Sequence, residues 1–230
     1  MANFRKATKA TPGAFPILTS KSAEAQKFIR GRPDGYLVSI AKPKKDAKLT
    51  SFDTPLEPTK PKALEHAAHL LVTAGQRSDS ARLTAVACET RYLGSGGWLP
   101  VPDFSFQDAM SLAVFLNSTA GRIQLMRQAG KTLSFPTFNP GAWVPIRGPD
   151  LTDVRQRTIL SACWERTAHM EVPQFRDGDC TVRRLWDVAV ADVMGWDAEW
   201  LAGLRHLLHA EPHVRGLGCG EFGEELEPDV

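Results

Sequence analysis

The chain has 230 residues, of which 43% are hydrophobic and 23% are charged, so it can bury a core of its own. It has no apolar run of the roughly 18 residues that span a membrane, and its first 20 residues contain no long apolar segment, so we expect no secretory signal. Its four cysteines are widely spaced and form no C-x-x-C pair, which is typical of a reduced, cytoplasmic protein. We therefore expect a cytoplasmic protein without membrane contact.

The net charge of +2 is unevenly distributed and predicts three segments that face different partners. Residues 1–62 carry a net charge of +8, and we predict a basic Pro/Lys-rich N-terminal arm. Its prolines favour loops and linkers, with a short strand at 36–41. Such an arm is compatible with binding nucleic-acid phosphates and equally with a solvated, flexible segment.

Residues 63–149 carry a net charge of +2 and predict an α+β domain. Two apolar stretches, HAAHLLVTA (66–74) and ARLTAVAC (81–88), are separated by the turn formers of GQRSDS, which predicts a β-hairpin. LGSGGWLPV (93–101) predicts a glycine loop that leads into a strand. The longest helical pattern covers 106–127, and two extended segments follow at 132–138 and 143–146.

Residues 150–230 carry a net charge of −8 and predict an acidic helical C-terminal subdomain with a flexible tail. The first predicted helix covers 150–169 and is opened by Asp150 or Thr152. The second runs from Thr181 to Gly195, and the third covers 197–212, starting at Asp197. The expected fold class is therefore α+β: a small mixed or antiparallel sheet with a buried central helix, followed by a C-terminal helical subdomain.

The central predicted helix contains LNSTAG, in which Asn117-Ser118-Thr119 matches the N-glycosylation tripeptide. A cytoplasmic composition disfavours that reading. A helical wheel places Thr119 in the middle of the apolar face, where its hydroxyl can bond to the carbonyl of Phe115. Apolar residues on both sides predict a largely buried helix, and Gly121 predicts a close approach of another backbone.

Several patterns resemble catalytic or cofactor motifs without completing them. The G-x-G-x-x-G of GLGCGEFG (216–223) has no room for the second half of a dinucleotide-binding unit. His206, His209 and His213 lack a fourth ligand for zinc. We therefore expect no cofactor and no bound metal.

One enzymatic alternative stays open. Asp34, Asp46 and Lys48 fit the loose pattern of Mg²⁺-dependent nucleases, in which two carboxylates hold the metal and the lysine stabilises charge near the scissile phosphate. Such nucleases carry the second carboxylate and the lysine on a core strand, whereas KPKKDAK (42–48) is polar and contains a proline.

Polar and basic side chains are concentrated in the middle segment, on three predicted loops and on the central helix. Such side chains bond phosphates and base edges, although they also occur on ordinary surfaces. The candidate DNA-binding residues are Gln76, Arg77, Ser78, Ser80, Arg82, Arg91, Arg122, Arg127 and Lys131.

The order of these elements resembles the target-recognition (specificity) regions of DNA adenine methyltransferases from type I/II restriction-modification systems and related phage-defence systems. The segments that carry the resemblance are LVTAGQRSDSARLTAV, LGSGGWLPV, AMSLAVFLNSTAGRIQL, SFPTFNPGAWVPI and the helical tail, across roughly residues 64–215. The most telling element is Leu116–Gly121, a Leu-Asn-Ser-Thr followed by a glycine. The family's glycine-rich S-adenosylmethionine turn and Asn-Pro-Pro-aromatic tetrapeptide are missing, since NPGAW (139–143) is only a near match.

The resemblance implies a non-catalytic module that reads a double-stranded DNA sequence. Arg77, Arg82, Arg122, Arg127 and Lys131 would contact phosphates, while Gln76, Ser78 and Ser80 would read bases. The acidic helices would dock on a separate methyltransferase or restriction subunit. Two alternatives remain from other classes: the Mg²⁺-dependent nuclease, and a protein-interaction adaptor that does not bind DNA.

Overall fold

A computed structural model describes residues 3–19, 26–40, 67–74, 82–128, 141 and 143–210. Within these ranges it has six strands and five α-helices. The strands are β1 (Asn3–Ala7), β2 (Phe15–Leu18), β3 (Gly35–Ile40), β4 (Ala67–Thr73), β5 (Ala85–Gly94) and β6 (Trp98–Val101). The helices are α1 (Phe106–Asn117), α2 (Thr119–Gln128), α3 (Val154–Thr167), α4 (Thr181–Met194) and α5 (Ala198–Ala210).

The six strands form one mixed sheet in the order β1-β3-β2-β5-β4-β6. All neighbours are antiparallel except β2 and β5, which pair in parallel through Ile17 opposite Leu93 and Leu18 opposite Gly94. The predicted strand at 36–41 and the pairing of the two hairpin strands are confirmed. Strands β1 and β2 were not predicted, because NFRKA is polar and FPIL contains a proline.

Strand β5 carries a wide bulge opposite β4. Ala68 lies opposite Tyr92 and Leu70 opposite Ala87, so a single residue of β4 faces residues 88–91 of β5. The three exposed positions of β5, residues 89–91, lie in this bulge. The bulge therefore turns Arg91 towards solvent from a strand that is otherwise mostly buried.

The helix predicted over 106–127 is in fact two helices. Helix α1 begins with a capping box between Ser105 and Asp108 and ends at Ser118, whose extended backbone (φ −66°, ψ 164°) interrupts the helical geometry. Helix α2 begins at the next residue. Ser118 Oγ donates to the carbonyl of Phe115 at 2.6 Å and accepts from the backbone N–H of Gly121 at 3.3 Å. The polar tripeptide thus marks a helix break, which a wheel for a continuous helix could not show.

The C-terminal helices were predicted closely. Helix α4 ends at Gly195, which adopts the left-handed conformation with φ 66°, and Asp197 bonds the N–H of Glu199 at the start of α5. Helix α3 begins later than predicted, since Asp153 is its N-cap. Asp150 instead bonds Thr152 in the preceding turn. Residues 143–146, predicted as extended, form a bend and turn, while 132–138 lie outside the described residues.

One hydrophobic core joins the sheet to the helices. Helix α1 packs between the sheet and helices α3 and α4, and its Phe115 is buried in the centre. Trp98 of the sheet, Trp164 of α3 and Trp186 of α4 belong to the same cluster. The α+β class with a C-terminal helical part is thereby confirmed. Among the described residues, no helix is both long enough and apolar enough to cross a membrane.

Candidate nucleic-acid interface

The candidate interface lies at the end of the β4–β5 pair where β4 ends and β5 begins. The connection between these two strands carries several of the predicted DNA-binding residues. Asn117, the last residue of α1, fixes this end. Its side-chain oxygen accepts from the N–H of Thr84 at 2.7 Å, and its amide nitrogen donates to the carbonyls of Ala85 at 2.7 Å and Ala113 at 2.8 Å. The amide is 5% exposed, so these bonds satisfy a buried polar group and tie α1 to the start of β5.

Four of the predicted DNA-binding residues, Gln76, Ser78, Ser80 and Arg77, belong to the connection between β4 and β5 and lie outside the described residues. Lys131, which follows α2, also lies outside them.

Arg82, at the far end of that connection, is held by the protein itself. Its Nη1 donates to the carbonyl of Val172 at 3.0 Å and lies 3.8 Å from the carboxylate of Glu171, and its side chain is only 17% exposed. Glu171 also pairs with Lys27 at 2.8 Å. Through Nη1, Arg82 ties the end of the connection to the segment after α3, and its side chain is largely withdrawn from solvent.

Arg122, on α2, is buried and only 5% exposed. Its guanidinium lies 3.7 Å from the ring centroid of Phe175, and Arg183 lies over the same ring at 4.7 Å. Burial, with a smaller contribution from the Arg183 cation, lowers the pKa of Arg122 to about 9. In this conformation the side chain lacks the solvent access that a phosphate contact requires.

Arg91 and Arg127 are the two remaining predicted residues, and both are exposed. Arg91 projects from the bulge of β5, and Arg127 lies in the last turn of α2. The structure therefore divides the described basic candidates into two exposed arginines and two that support the fold.

A buried acidic side chain orients α2 and was missed in the sequence. Asp187 of α4 is 2% exposed, and its two carboxylate oxygens accept from the N–H and the hydroxyl of Thr119, both at 2.7 Å. Arg205 of α5 donates to the same carboxylate at 2.6 Å and pairs with Asp179 at 2.9 Å. Burial raises the pKa of Asp187, and the bonds from Thr119 and Arg205 oppose that rise.

Asp187 of α4 thus supplies the negative charge that caps the N-terminus of α2, although it lies 68 residues later in the chain. The polar Thr119 in an apolar face was the only sequence signal for this contact, because nothing in the spacing identifies its partner.

The residues of the nuclease alternative give no metal site among the described residues. Asp34 accepts from the N–H of Thr19 at 3.1 Å and from its hydroxyl at 2.7 Å, so it joins the two ends of the connection between β2 and β3. Asp46 and Lys48 lie outside the described residues. In the ranges that the structure covers, no group of three His, Cys, Asp or Glu side chains could hold a metal ion.

Of the three C-terminal histidines, which the sequence predicts not to bind zinc, two lie among the described residues. His209 stacks on Phe175 with ring centroids 4.3 Å apart, while the side chain of His206 is exposed on α5, and His213 lies outside the described residues.

No protein-family model matches the sequence, and no curated protein matches it either. Among solved structures, the chain is similar to that of the type IIG restriction endonuclease BpuSI, with a TM-score of 0.54 and 10% sequence identity. The likeness covers 94% of this chain and 30% of that chain, so this protein corresponds to about a third of the length of its structural neighbour. At this identity the likeness shows a shared fold.

Proposed function

We propose that this chain reads a DNA sequence as the non-catalytic specificity part of a restriction-modification or phage-defence system. The observation that carries the proposal is the fold likeness, which extends over 94% of the chain to one portion of a type IIG restriction endonuclease. The sequence resemblance to target-recognition regions supports the same class of system. Because this sequence carries neither the glycine-rich S-adenosylmethionine turn nor the Asn-Pro-Pro-aromatic tetrapeptide, we assign methylation to a separate subunit.

The arrangement of basic residues supports a revised set of contacts. Arg91 and Arg127 are exposed and would contact phosphates, together with Arg77 and Lys131. Arg82 and Arg122 would act indirectly, by holding the β4–β5 connection and α2 in place.

Base reading falls to Gln76, Ser78 and Ser80 in the connection between β4 and β5. Amide and hydroxyl groups can both donate and accept, which suits base edges in the major groove. Asn117 and Arg82 fix the C-terminal end of this connection. The connection would therefore reach DNA from a rigid support. The C-terminal acidic helices would dock on the separate methyltransferase or restriction subunit.

The test is a selection from a pool of randomised duplexes at low salt, using the full chain alone and together with the subunit encoded beside it. We expect enrichment of one short sequence. Arg127→Ala and Arg91→Ala should weaken binding to all sequences and lower the salt slope by about 1 each, while Gln76→Ala should relax the enriched sequence.

The matched control is Arg155→Ala, which removes an exposed arginine that is paired with Asp192 at 2.8 Å. This variant should keep the wild-type salt slope. Absence of duplex binding at about 50 mM salt in both preparations would refute the proposal and favour the adaptor. Mg²⁺-dependent cleavage by the chain alone, abolished by Asp46→Ala, would refute its non-catalytic part and favour the nuclease.

A further inference from the structure

A basic residue outside the predicted set lies next to the exposed end of α2. Arg147 follows the turn at 143–146, and its backbone is held at two points by the side chain of Gln124. The Gln124 amide nitrogen donates to the carbonyl of Arg147 at 3.0 Å, and the Arg147 N–H donates to the Gln124 oxygen at 2.9 Å. These two hydrogen bonds hold the backbone of Arg147 against α2. They use its N–H and its carbonyl, as pairing with a neighbouring strand does in a sheet.

The residues on either side of Arg147 are also held in place. Gly148 packs against the ring of the buried Phe115, where a Cβ would lie 3.4 Å from the nearest ring carbon. Pro149 is buried, and Ile146 packs against the hydrophobic core. Arg147 therefore projects its exposed side chain from a backbone with few alternative positions, which reduces the entropy that binding would cost.

Gln124 and Arg127 are three residues apart on α2, so their side chains share a face with Cβ atoms about 5–6 Å apart. Both arginines are therefore neighbours of Gln124: Arg127 on the same helix face, and Arg147 through its backbone bonds to the Gln124 side chain. Among the described residues, neither arginine has a carboxylate within ion-pair distance, whereas Arg30, Arg155 and Arg205 each do. The two exposed guanidinium groups concentrate positive charge that no described acidic side chain compensates.

We propose that Arg127 and Arg147 together bind phosphate groups of a duplex DNA strand, with Gln124 as the residue that positions Arg147. We call them the arginine pair. The identity of the ligand as DNA rests on the proposed function, while the pair itself rests on the Gln124 bonds and the exposure of both arginines. Guanidinium groups suit this role because their donors match phosphate oxygens in a two-point geometry.

The experiment measures binding of the full chain to fluorescent duplex DNA by anisotropy over a salt series. Arg147→Ala should weaken binding about eightfold at ~0.1 M salt and lower the salt slope by about 0.9, because one fewer counterion is released. Arg127→Ala should behave alike, and the double variant should lose about 60-fold. Inorganic phosphate, added as a competitor at constant ionic strength, should have little effect if the pair requires a DNA strand.

Two further variants separate position from charge and from folding. Gln124→Met keeps the net charge, the side-chain length and the helix propensity, but removes both bonds to Arg147. It should weaken DNA binding several-fold, and Arg147→Ala should then add little to it, since the two changes disrupt one contact. Arg166→Ala removes an exposed arginine from α3 and serves as the matched charge control, with binding close to wild type.

The outcomes distinguish this inference from the function on which it rests. If the wild-type chain binds duplex DNA and Arg147→Ala matches Arg166→Ala in affinity and salt slope, the arginine pair is refuted and the proposed function stands. If the wild-type chain binds no duplex at low salt, either alone or together with the partner subunit, both are refuted. Urea unfolding of each variant identifies any loss of binding that comes from unfolding, and the Gln124→Met comparison then decides between a folding effect and a positioning effect.

Discussion

Replacing Asp187 with alanine should destabilise the protein far more than the loss of an ordinary carboxylate. The side chain is 2% exposed and satisfies the N–H and hydroxyl of Thr119 at the start of α2, as well as the guanidinium of Arg205. Alanine would leave Thr119 without its cap and Arg205, itself 7% exposed, without one of its two partners.

The magnitude follows from these two losses. Removing a helix N-cap costs about 1 kcal/mol, and removing one member of a buried ion pair costs about 3–5 kcal/mol. Asp179 would still contact Arg205 at 2.9 Å, which favours the lower end of the second range. We therefore expect the free energy of unfolding to fall by about 4 kcal/mol. The exposed pair of Asp192 and Arg155 supplies the control, since Asp192→Ala should cost no more than about 1 kcal/mol.

The assay is urea unfolding followed by tryptophan fluorescence. Trp186, the residue that precedes Asp187, is buried and so reports on unfolding at this site. The double variant Asp187→Ala, Arg205→Met should be more stable than Asp187→Ala alone, because it no longer contains a buried cation with a lost partner. A cost for Asp187→Ala that equals the cost for Asp192→Ala would refute the reasoning, since the carboxylate would then contribute nothing beyond a surface charge.

Three further changes test other parts of the same region. Gly121→Ala should lower the free energy of unfolding by about 1–3 kcal/mol, because a Cβ would press on the Phe115 carbonyl and lie 2.8 Å from Leu116 Cα. Gly203→Ala places its Cβ in open space and should raise the free energy of unfolding by about 0.5–1 kcal/mol. Urea unfolding measures both changes. Asn117→Ala should cost about 1–3 kcal/mol by the same measurement, because it removes the side-chain oxygen that accepts the N–H of Thr84, and the absence of a measurable cost would contradict this. Burial lowers the pKa of His209, and the Arg183 cation adds a smaller contribution, so the unfolded state binds more protons than the folded state as the pH falls. Stability should be full above about pH 6.5, the ordinary pKa of histidine, and should fall as the pH drops through that value. The fall should be smaller in His209→Gln. Equal urea midpoints at pH 7.5 and 5.5 would contradict the last expectation.

The local elements were largely predictable because their signals are short-range. The hairpin strands are apolar runs of strand length, and helix α4 has an apolar stripe that ends at a glycine. The break at Ser118 was not predictable in this way, because the apolar periodicity continues through it. Asp187, which lies 68 residues later in the chain, caps the helix that follows the break.

For the candidate interface, the sequence did not show which basic side chains are exposed. Arg82, Arg122 and Arg127 look equivalent in sequence, and all three were predicted to contact phosphates. Tertiary packing buries Arg122 on Phe175, ties Arg82 to Val172 and leaves Arg127 exposed. The sequence gives no sign of the position of Arg147, because Gln124, whose side chain holds its backbone, lies 23 residues earlier in the chain.

The sequence by itself determined the α+β class, the three-part distribution of charge, most of the element boundaries and a resemblance to DNA target-recognition regions. These depend on composition, hydrophobic period and local capping, which act over a few residues. Only the tertiary structure decided which arginines face solvent, which acidic group caps α2 and that the Gln124 side chain holds the backbone of Arg147. Those outcomes depend on contacts between residues far apart in the chain, where burial sets the cost of each charge and each unpaired bond.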